Sequence, residues 1–218
     1  MDQLLPFLLA LSVGFAHAFE ADHLVAVSNI VTRRNNIGLA LKDGIFWGLG
    51  HSSTILLVGS IFIVGKFVLH EENFRYLEAG VGVMLLSLGV FRLYRLTTQS
   101  TNAVAHVPGS QVLHLHTQPI SNHTHRLAYG VGLIHGLAGS GALILSVLTQ
   151  IKGTGAGLLY LTLFGTGSIG GMMVAAGAFS VPLALRWQRR SAVRSVLTVL
   201  SSVCCVVLGI RVLWENLN

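Results

Sequence analysis

Apolar residues run along this chain in six long stretches that are separated by short polar segments. We place the stretches near residues 4–29, 38–68, 76–96, 127–150, 154–185 and 192–214. Each stretch holds the roughly 20 residues that a helix needs to cross the hydrocarbon core of a bilayer. The pattern predicts an all-α integral membrane protein, folded as a six-helix bundle.

The amino-acid composition supports a membrane fold and argues against a nucleic-acid partner. Hydrophobic residues make up 52% of the chain and charged residues 10%, and the mean hydropathy is +0.70. An ordinary soluble domain has about 25% charged residues, so a water-soluble fold is excluded. The pI near 9.9 would suit nucleic-acid binding, but the basic residues cluster at the ends of the apolar stretches. Such clusters are typical of membrane topology signals, and membrane lipid is the expected partner.

Short matching runs suggest that the chain contains an internal repeat. Three runs in the first half have counterparts in the second half: 14–17 with 132–135, 48–51 with 165–168, and 88–90 with 208–210. The matches occur in the same order, about half a chain apart. An odd number of spans per copy forces the second copy to be inverted in the membrane. We therefore expect two inverted three-helix repeats, 1–97 and 127–218, joined by a polar segment at 98–126.

Glycines lie near the middle of the second and fifth stretches. They are Gly44, Gly48 and Gly50 in one, and Gly165, Gly167, Gly170 and Gly171 in the other. Glycine-interrupted segments at corresponding positions of two halves often mark broken helices at a transporter's binding site. Small residues also serve close packing between membrane helices. Both interpretations are open at this stage.

The Lys and Arg residues predict the orientation of the bundle. Assigning the segments between stretches to alternate sides puts ten of them on one face and four on the other. The ten are Arg33, Arg34, Lys42, Arg92, Arg95, Arg126, Arg186, Arg189, Arg190 and Arg194. By the positive-inside rule this face is cytoplasmic, so both termini should lie outside the cytoplasm. The expected location is a bacterial inner (plasma) membrane.

Four ionisable residues interrupt the first apolar stretch. They are His17, Glu20, Asp22 and His23. A charged group at the bilayer centre costs about 2.5–3.5 kcal/mol on insertion scales, so such groups usually pair, face a polar cavity or bind an ion. A mixture of imidazole and carboxylate suits a divalent transition metal. Polar groups that fix helix packing through hydrogen bonds are the alternative.

Helix geometry complicates a metal site in this stretch. An unbroken α-helix turns by about 100° per residue and would point His17, Asp22 and His23 in three different directions. Either Glu20 is the carboxylate that faces inward, or the helix is distorted enough to turn Asp22 toward the histidines. His51 in the second stretch is a further candidate ligand, and the alternative for His51 is a hydrogen-bonded bridge between helices.

These residues also carry a resemblance to a known family. His17-x-x-x-x-Asp22-His23, followed by Leu49-Gly50-His51-Ser52, resembles the signature pair of the nickel/cobalt transporter superfamily. The run at 132–141 resembles its short urease-accessory branch, the UreH-like proteins. The resemblance implies a multi-pass permease for Ni²⁺ or Co²⁺, or for a similar ion such as Zn²⁺ or Mn²⁺. It places His17, Asp22, His23 and His51 on the ion path.

The chain departs from the longer transporters of that superfamily in two places. Glu20 stands where Asp is expected, and the Asp-Thr motifs of the second half are missing. The second half has His135, Ser140, Thr166 and Ser168 instead. These four residues form a candidate second-half site.

The polar segment between the predicted repeats is rich in histidine. It carries His106, His114, His116, His123 and His125. Histidine-rich tracts often bind metal, so we expect an auxiliary cytoplasmic metal loop, with a flexible linker as the alternative.

The leading functional hypothesis is therefore a divalent-metal permease that has no resident cofactor and is not an enzyme. A Walker-type phosphate loop is absent from the sequence, so the hypothesis requires an ion gradient, the membrane potential or a separate partner as energy source. The alternative is a metal-efflux protein or a metallochaperone-linked membrane component, with the histidine-rich loop as cytoplasmic metal collector. An intramembrane metalloenzyme is disfavoured, because His17 and His23 lack the i, i+4 spacing of helical zinc proteases. A homo-oligomer is left open.

Overall fold

The computed structural model describes residues 5–32, 34, 36–65, 71–100, 124–139, 151, 153–184 and 191–218. All regular secondary structure in these ranges is helical, as predicted. The helices are α1 (Leu5–His17), α2 (Ala21–Val31), α3 (Ile37–Gly65), α4 (Glu71–Ser100), α5 (Thr124–Gly139), α6 (Thr154–Ala184) and α7 (Ser191–Leu217).

Four of these helices are long and apolar enough to cross a membrane. They are α3, α4, α6 and α7. Helices α1 and α2 meet the same criterion only as a pair, bent by 54° at a short break, either as one broken span or as a re-entrant loop. The described residues therefore contain four or five candidate spans. The prediction of an all-α membrane protein is confirmed at this level.

The six-helix description needs correction, because the first apolar stretch forms two helices. The chain leaves α1 through turns in which the Phe19 and Glu20 amides donate to the carbonyls of Ala16 and His17, at 2.9 and 3.0 Å. Glu20 is extended, with φ −64° and ψ 153°, and precedes the first turn of α2. Residues 140–150, which were predicted to complete the fourth stretch, lie outside the described residues.

Of the two interpretations of the central glycines, a helix break is excluded, because α3 and α6 run continuously through them. These glycines instead let the two helices approach closely. A Cβ added at Gly44 would lie 2.6 Å from the Met172 carbonyl oxygen, and one at Gly48 would lie 2.7 Å from the Cα of Ile169. Both distances are shorter than real Cβ contacts allow. The packing interpretation therefore holds for these positions.

The helices pack in a defined pattern of pairs. Helix α3 packs against α6, α4 against α7, α1 against α6 and α5 against α3. Gly44 and Gly48 face Met172 and Ile169, so residue numbers rise along α3 as they fall along α6, and the two helices are antiparallel. Helix α2 is tied to α7 by a hydrogen bond of 3.2 Å from Asn29 Nδ2 to Ser202 Oγ.

Apolar side chains cover much of the outer surface. Large residues such as Leu57, Val64 and Val196 are about two-thirds exposed, at 64%, 64% and 65%. The interior holds one cluster around Trp47 and Leu85 and a second around Ile55, Leu161 and Phe164. Exposed apolar faces of this extent suit a surface that contacts lipid tails.

Candidate metal centre

The break between α1 and α2 positions the four ionisable residues of the first stretch. His17 is the last residue of α1, and Asp22 and His23 lie in the first turn of α2. His17 Nδ1 lies 2.8 Å from Glu20 Oε1, and the Glu20 side chain is 58% exposed. The change of direction removes the constraint of a single helix and leaves Asp22, rather than Glu20, as the carboxylate in contact with buried histidines.

Four imidazole rings gather around this break. His23, His51 and His135 are completely buried, and the side chain of His17 is 12% exposed. The His23 ring lies at the centre. Its centroid is 4.6 Å from that of His17, 5.2 Å from that of His51 and 3.9 Å from that of His135.

Asp22 links the first and second halves of the chain. Its Oδ1 accepts a hydrogen bond of 2.8 Å from the His23 backbone amide and lies 3.0 Å from His23 Nδ1. Its Oδ2 lies 2.8 Å from His135 Nε2, on helix α5. Both carboxylate oxygens of Asp22 therefore contact histidines.

Two groups of side chains have the spacing of metal ligands. The potential ligand atoms of His17, His23 and His51 all lie within 4.8 Å of one another. The same holds for Asp22, His23 and His135, so His23 belongs to both groups. Imidazole nitrogen with a carboxylate oxygen is a donor set that zinc and nickel accept.

Several nitrogen atoms in the cluster lack a hydrogen-bond partner among the described residues. They are His17 Nε2, His23 Nε2, both ring nitrogens of His51, and His135 Nδ1. An unpaired polar atom in a buried site costs free energy, and such atoms normally have partners. Unpaired nitrogens from four histidines that converge on one place are therefore a strong indication of a ligand.

Aromatic side chains form part of the wall around the histidines. Trp47 stacks on His23 with ring centroids 6.1 Å apart and an interplanar angle of 11°. The Trp47 ring also lies 5.8 Å from that of His135, and Phe164 lies 5.4 Å from His17. These rings keep the surroundings apolar, which strengthens electrostatic interactions within the site.

The predicted second-half residues separate in the structure. His135 joins the histidine cluster. Ser168 is buried but donates a hydrogen bond of 3.1 Å to the Gly14 carbonyl, which ties α6 to α1. Thr166 is exposed and bonds to the Thr162 carbonyl of its own helix, at 2.8 Å. Ser140 lies outside the described residues.

The histidine-rich loop lies mostly outside the described residues, and His125 corrects its predicted end. His106, His114, His116 and His123 belong to the part that the structure does not describe. His125 lies in the first turn of α5, where its Nδ1 is 2.7 Å from Asp43 Oδ1 and its ring stacks on Phe46. His125 is therefore fixed by a buried carboxylate and an aromatic ring, and the prediction that placed it in a loop is wrong.

Asp43 also holds Arg34, and this second polar cluster was not predicted. Arg34 donates to both carboxylate oxygens of Asp43, at 2.5 and 2.8 Å, and both side chains are buried. Asp43 and His51 are eight residues apart on α3, which is about 12 Å along a helix axis. The signal was present in the sequence, because a lone carboxylate within an apolar stretch needs a partner.

Together, these observations define an all-α membrane protein whose interior holds a cluster of histidine and aspartate side chains. Comparison with known proteins then identifies the family. The chain is 31% identical to the urease accessory protein UreH of Bacillus sp. (strain TB-90) over an alignment of 219 residues. The alignment covers 99% of this chain and 93% of that protein. The chain belongs to the UreH family, which confirms the predicted short urease-accessory branch of the nickel/cobalt transporter superfamily.

A second relative matches part of the chain. A high-affinity nickel transport protein of Cupriavidus necator is 32% identical over 89 residues, which cover 39% of this chain and 25% of that protein. Neither relative is named for catalysis, in agreement with the expectation that the chain is not an enzyme. No family model matches the chain. No solved structure matches it.

Proposed function

We propose that this protein is a membrane permease for a divalent transition-metal ion, nickel first and cobalt second. The ligands are His17, Asp22, His23 and His51, with His135 from the second half. Glu20 contributes from the exposed side through His17. Two relatives support the choice of metal, because one is named as a urease accessory protein and the other as a nickel transport protein.

The observation that carries this proposal is the state of His51. Its side chain is completely buried, yet neither ring nitrogen has a hydrogen-bond partner among the described residues. A histidine that bridges two helices would donate or accept a bond to the neighbouring helix. A ligand awaiting a metal ion needs a free nitrogen, and this arrangement supports that role.

The chemistry of the site accounts for binding of a hydrated divalent cation. Imidazole nitrogens replace water ligands, and the Asp22 carboxylate supplies negative charge in an apolar environment. Imidazole suits nickel, copper and zinc, whereas magnesium and calcium favour oxygen ligands. The donor set therefore selects transition metals over the abundant alkaline-earth ions.

We also propose that the bundle consists of two inverted repeats. Helix contacts that occur at equivalent positions of the two repeats support this arrangement. A Cβ added at Gly14 would collide with the Phe164 carbonyl, and one at Gly132 would collide with the Trp47 carbonyl. The sequence repeat pairs Gly14 with Gly132 and Trp47 with Phe164. Each contact is therefore the counterpart of the other.

The third helices of the two repeats, α4 and α7, also make contacts at equivalent positions. A Cβ added at Gly89 would lie 2.6 Å from the Ser202 carbonyl oxygen, and one at Gly209 would lie 2.7 Å from that of Gly82. The repeat pairs Gly89 with Gly209 and Gly82 with Ser202. Rocking of one repeat against the other about the central site would give alternating access, as in other transporters built from inverted repeats.

Topology is the first prediction that follows. A reporter fused after Asn218 should read as extracytoplasmic, and one inserted beside His114 should read as cytoplasmic, because the face with ten basic residues is retained inside. Paired reporters that are active only on opposite sides of the membrane measure this directly. Cytoplasmic activity after Asn218 would overturn the proposed orientation.

Metal flux into proteoliposomes tests the proposed function. Purified protein of known orientation is reconstituted, and uptake of Ni²⁺, Co²⁺, Zn²⁺ and Mn²⁺ is measured in parallel. We expect saturable uptake of Ni²⁺, followed by Co²⁺. Flux in the opposite direction would indicate export, for which the histidine-rich loop would collect ions inside. No flux of any of these ions would reject the permease.

His51→Gln separates the ligand role from a packing role. The amide retains a polar side chain of similar reach, so we expect little loss of stability without metal. Metal that binds only the folded state stabilises it by RT ln(1 + [L]/Kd), about 2.7 kcal/mol at a hundredfold excess over Kd. The variant should keep only part of this gain in a thermal-unfolding assay with Ni²⁺, because the group of Asp22, His23 and His135 stays complete. Equal stabilisation of the variant and the parent would remove His51 from the ligand set.

A further inference from the structure

The candidate metal centre contains two adjacent groups of potential ligands. We infer that the ion occupies first the group formed by His17, His23 and His51 and then the group formed by Asp22, His23 and His135. This inference rests on the proposed permease function and concerns the path of the ion through that site. The starting observation is that two groups meet the spacing of metal ligands and that His23 is common to both.

The two groups differ in the hydrogen-bond contacts of their potential ligand atoms. Both oxygens of Asp22 are in contact with His23 and His135, at 2.8–3.0 Å. His51 has no such contact among the described residues, where neither of its ring nitrogens has a hydrogen-bond partner. The ring centroids of His51 and His135 lie 6.0 Å apart. The Asp22 carboxylate therefore belongs to the second group, while the potential ligands of the first group are the imidazoles of His17, His23 and His51.

The two positions differ in charge, and the cation should be attracted more strongly to the second position than to the first. The three imidazoles of the first position bind a dehydrated cation through nitrogen donors only. The second position adds the negative charge of Asp22 in an apolar setting, where charge interactions are less screened. Conduction requires binding that is strong enough for entry and divided among sites so that release remains fast. Two positions that share a ligand meet both requirements.

Sharing His23 also avoids complete release of the ion between positions. An ion that moves from His17 and His51 to Asp22 and His135 exchanges these ligands stepwise while the His23 ring stays beside it. A fully unliganded divalent ion in an apolar interior would be very costly. The central place of His23, with three other rings between 3.9 and 5.2 Å from it, suits this role.

The helices that carry the ligands connect the transfer to the proposed rocking motion. The first position is built by α1, α2 and α3, all within the first repeat. The second position is built by α2 and α5, so it bridges the two repeats. Transfer therefore moves the ion from one repeat to the boundary between them. Relative motion of the repeats separates His135 from Asp22 and releases the ion.

Binding and flux should therefore respond differently to single substitutions. His17→Gln leaves the second position complete, and His135→Gln leaves the first position complete. Each single variant should bind one Ni²⁺ with an affinity reduced by less than about tenfold, which corresponds to 1.4 kcal/mol. Each should lose flux, because the path is interrupted. His23→Gln should lose both, because it damages both positions.

The double variant His17→Gln/His135→Gln gives a sharper measurement. Two positions predict that the double loss of affinity far exceeds the product of the two single losses, because each substitution alone leaves an intact alternative. One five-ligand site predicts losses that multiply, and a double-mutant cycle distinguishes the two. The double variant also carries the test if His23→Gln does not fold.

Isothermal titration with Ni²⁺ on purified protein in detergent measures affinity and stoichiometry, and proteoliposome uptake measures flux. Ser87→Ala serves as control and should keep both binding and flux, since this exposed hydroxyl on α4 donates to the Val83 carbonyl of its own helix, at 2.7 Å. Single variants that lose as much affinity as His23→Gln, or that keep parental flux, would overturn the two positions. Failure of the parent to transport any metal would instead reject the permease itself.

Discussion

Asp22→Asn is expected to reduce Ni²⁺ flux to the background of protein-free liposomes while the protein still folds. The amide keeps the size of the side chain and one acceptor oxygen. It removes the negative charge and the second oxygen that contacts His135 Nε2 at 2.8 Å. A divalent ion would then meet imidazoles alone at the boundary between the repeats, without charge compensation in an apolar site.

Glu20→Gln is the matched control for this prediction, because it makes the same chemical change two residues away. The Glu20 side chain is 58% exposed and contacts only His17 among the described histidines, whereas that of Asp22 is 27% exposed and contacts two buried rings. We expect the Glu20 variant to keep measurable flux, with a weaker apparent affinity. Flux is measured with protein amounts matched by the folded fraction. Parental flux in Asp22→Asn would remove Asp22 from the ion path.

Asp43→Ala should produce the largest loss of stability among the polar substitutions considered for this protein. It leaves the buried guanidinium of Arg34 without its two carboxylate bonds, at 2.5 and 2.8 Å, and also frees His125. Removal of one partner from a buried ion pair typically costs about 3–5 kcal/mol. Unfolding of the purified protein in mixed micelles measures the difference from the parent.

Glu215→Ala provides the comparison for Asp43→Ala. Glu215 pairs with Arg211 at 2.7 Å, but both side chains are more than half exposed, at 53% and 71%. Exposed ion pairs contribute little to the free energy of unfolding, so Glu215→Ala should be as stable as the parent. If Asp43→Ala is no less stable than Glu215→Ala, the buried contacts of Asp43 with Arg34 and His125 do not stabilise the fold. Ni²⁺ affinity per folded molecule should be retained in Glu215→Ala.

The Asp43 cluster bears on function through the helices that it joins. Helix α3 carries Asp43 and His51, and helix α5 carries His125 and His135. The contact between Asp43 and His125 thus fixes the relative position of two helices that each supply a ligand of the proposed site. This placement explains why a polar group about 12 Å from the histidines, by helix rise, matters for their alignment.

Sequence reasoning identified the spans and most of the candidate ligands, because both depend on local properties. The cost of placing a segment in a bilayer is set by its own composition, and α3, α4, α6 and α7 were recognised for that reason. Ionisable residues in an apolar stretch are recognisable by the same cost. His17, Asp22, His23 and His51 needed no knowledge of the fold to be singled out.

Positions of helix breaks and roles of individual glycines were harder to predict. Glycine permits both a break and a close approach, and only the neighbouring helix decides between them. At Gly44 and Gly48 that neighbour is α6, whose backbone would collide with a side chain. The break occurs instead around Phe19, where no glycine or proline marks it. The ends of the histidine-rich segment were misjudged for a related reason, since the partner of His125 lies on α3.

The sequence by itself determined the membrane class, the family and the candidate ligands, because hydropathy, motif spacing and residue type are properties of adjacent residues. Only the tertiary structure decided which residues meet. Asp22 and His135 are separated by 113 positions and Asp43 and His125 by 82, yet each pair is in contact. Such contacts depend on how α2, α3 and α5 pack, and packing results from the shapes of all the helices together rather than from any one segment.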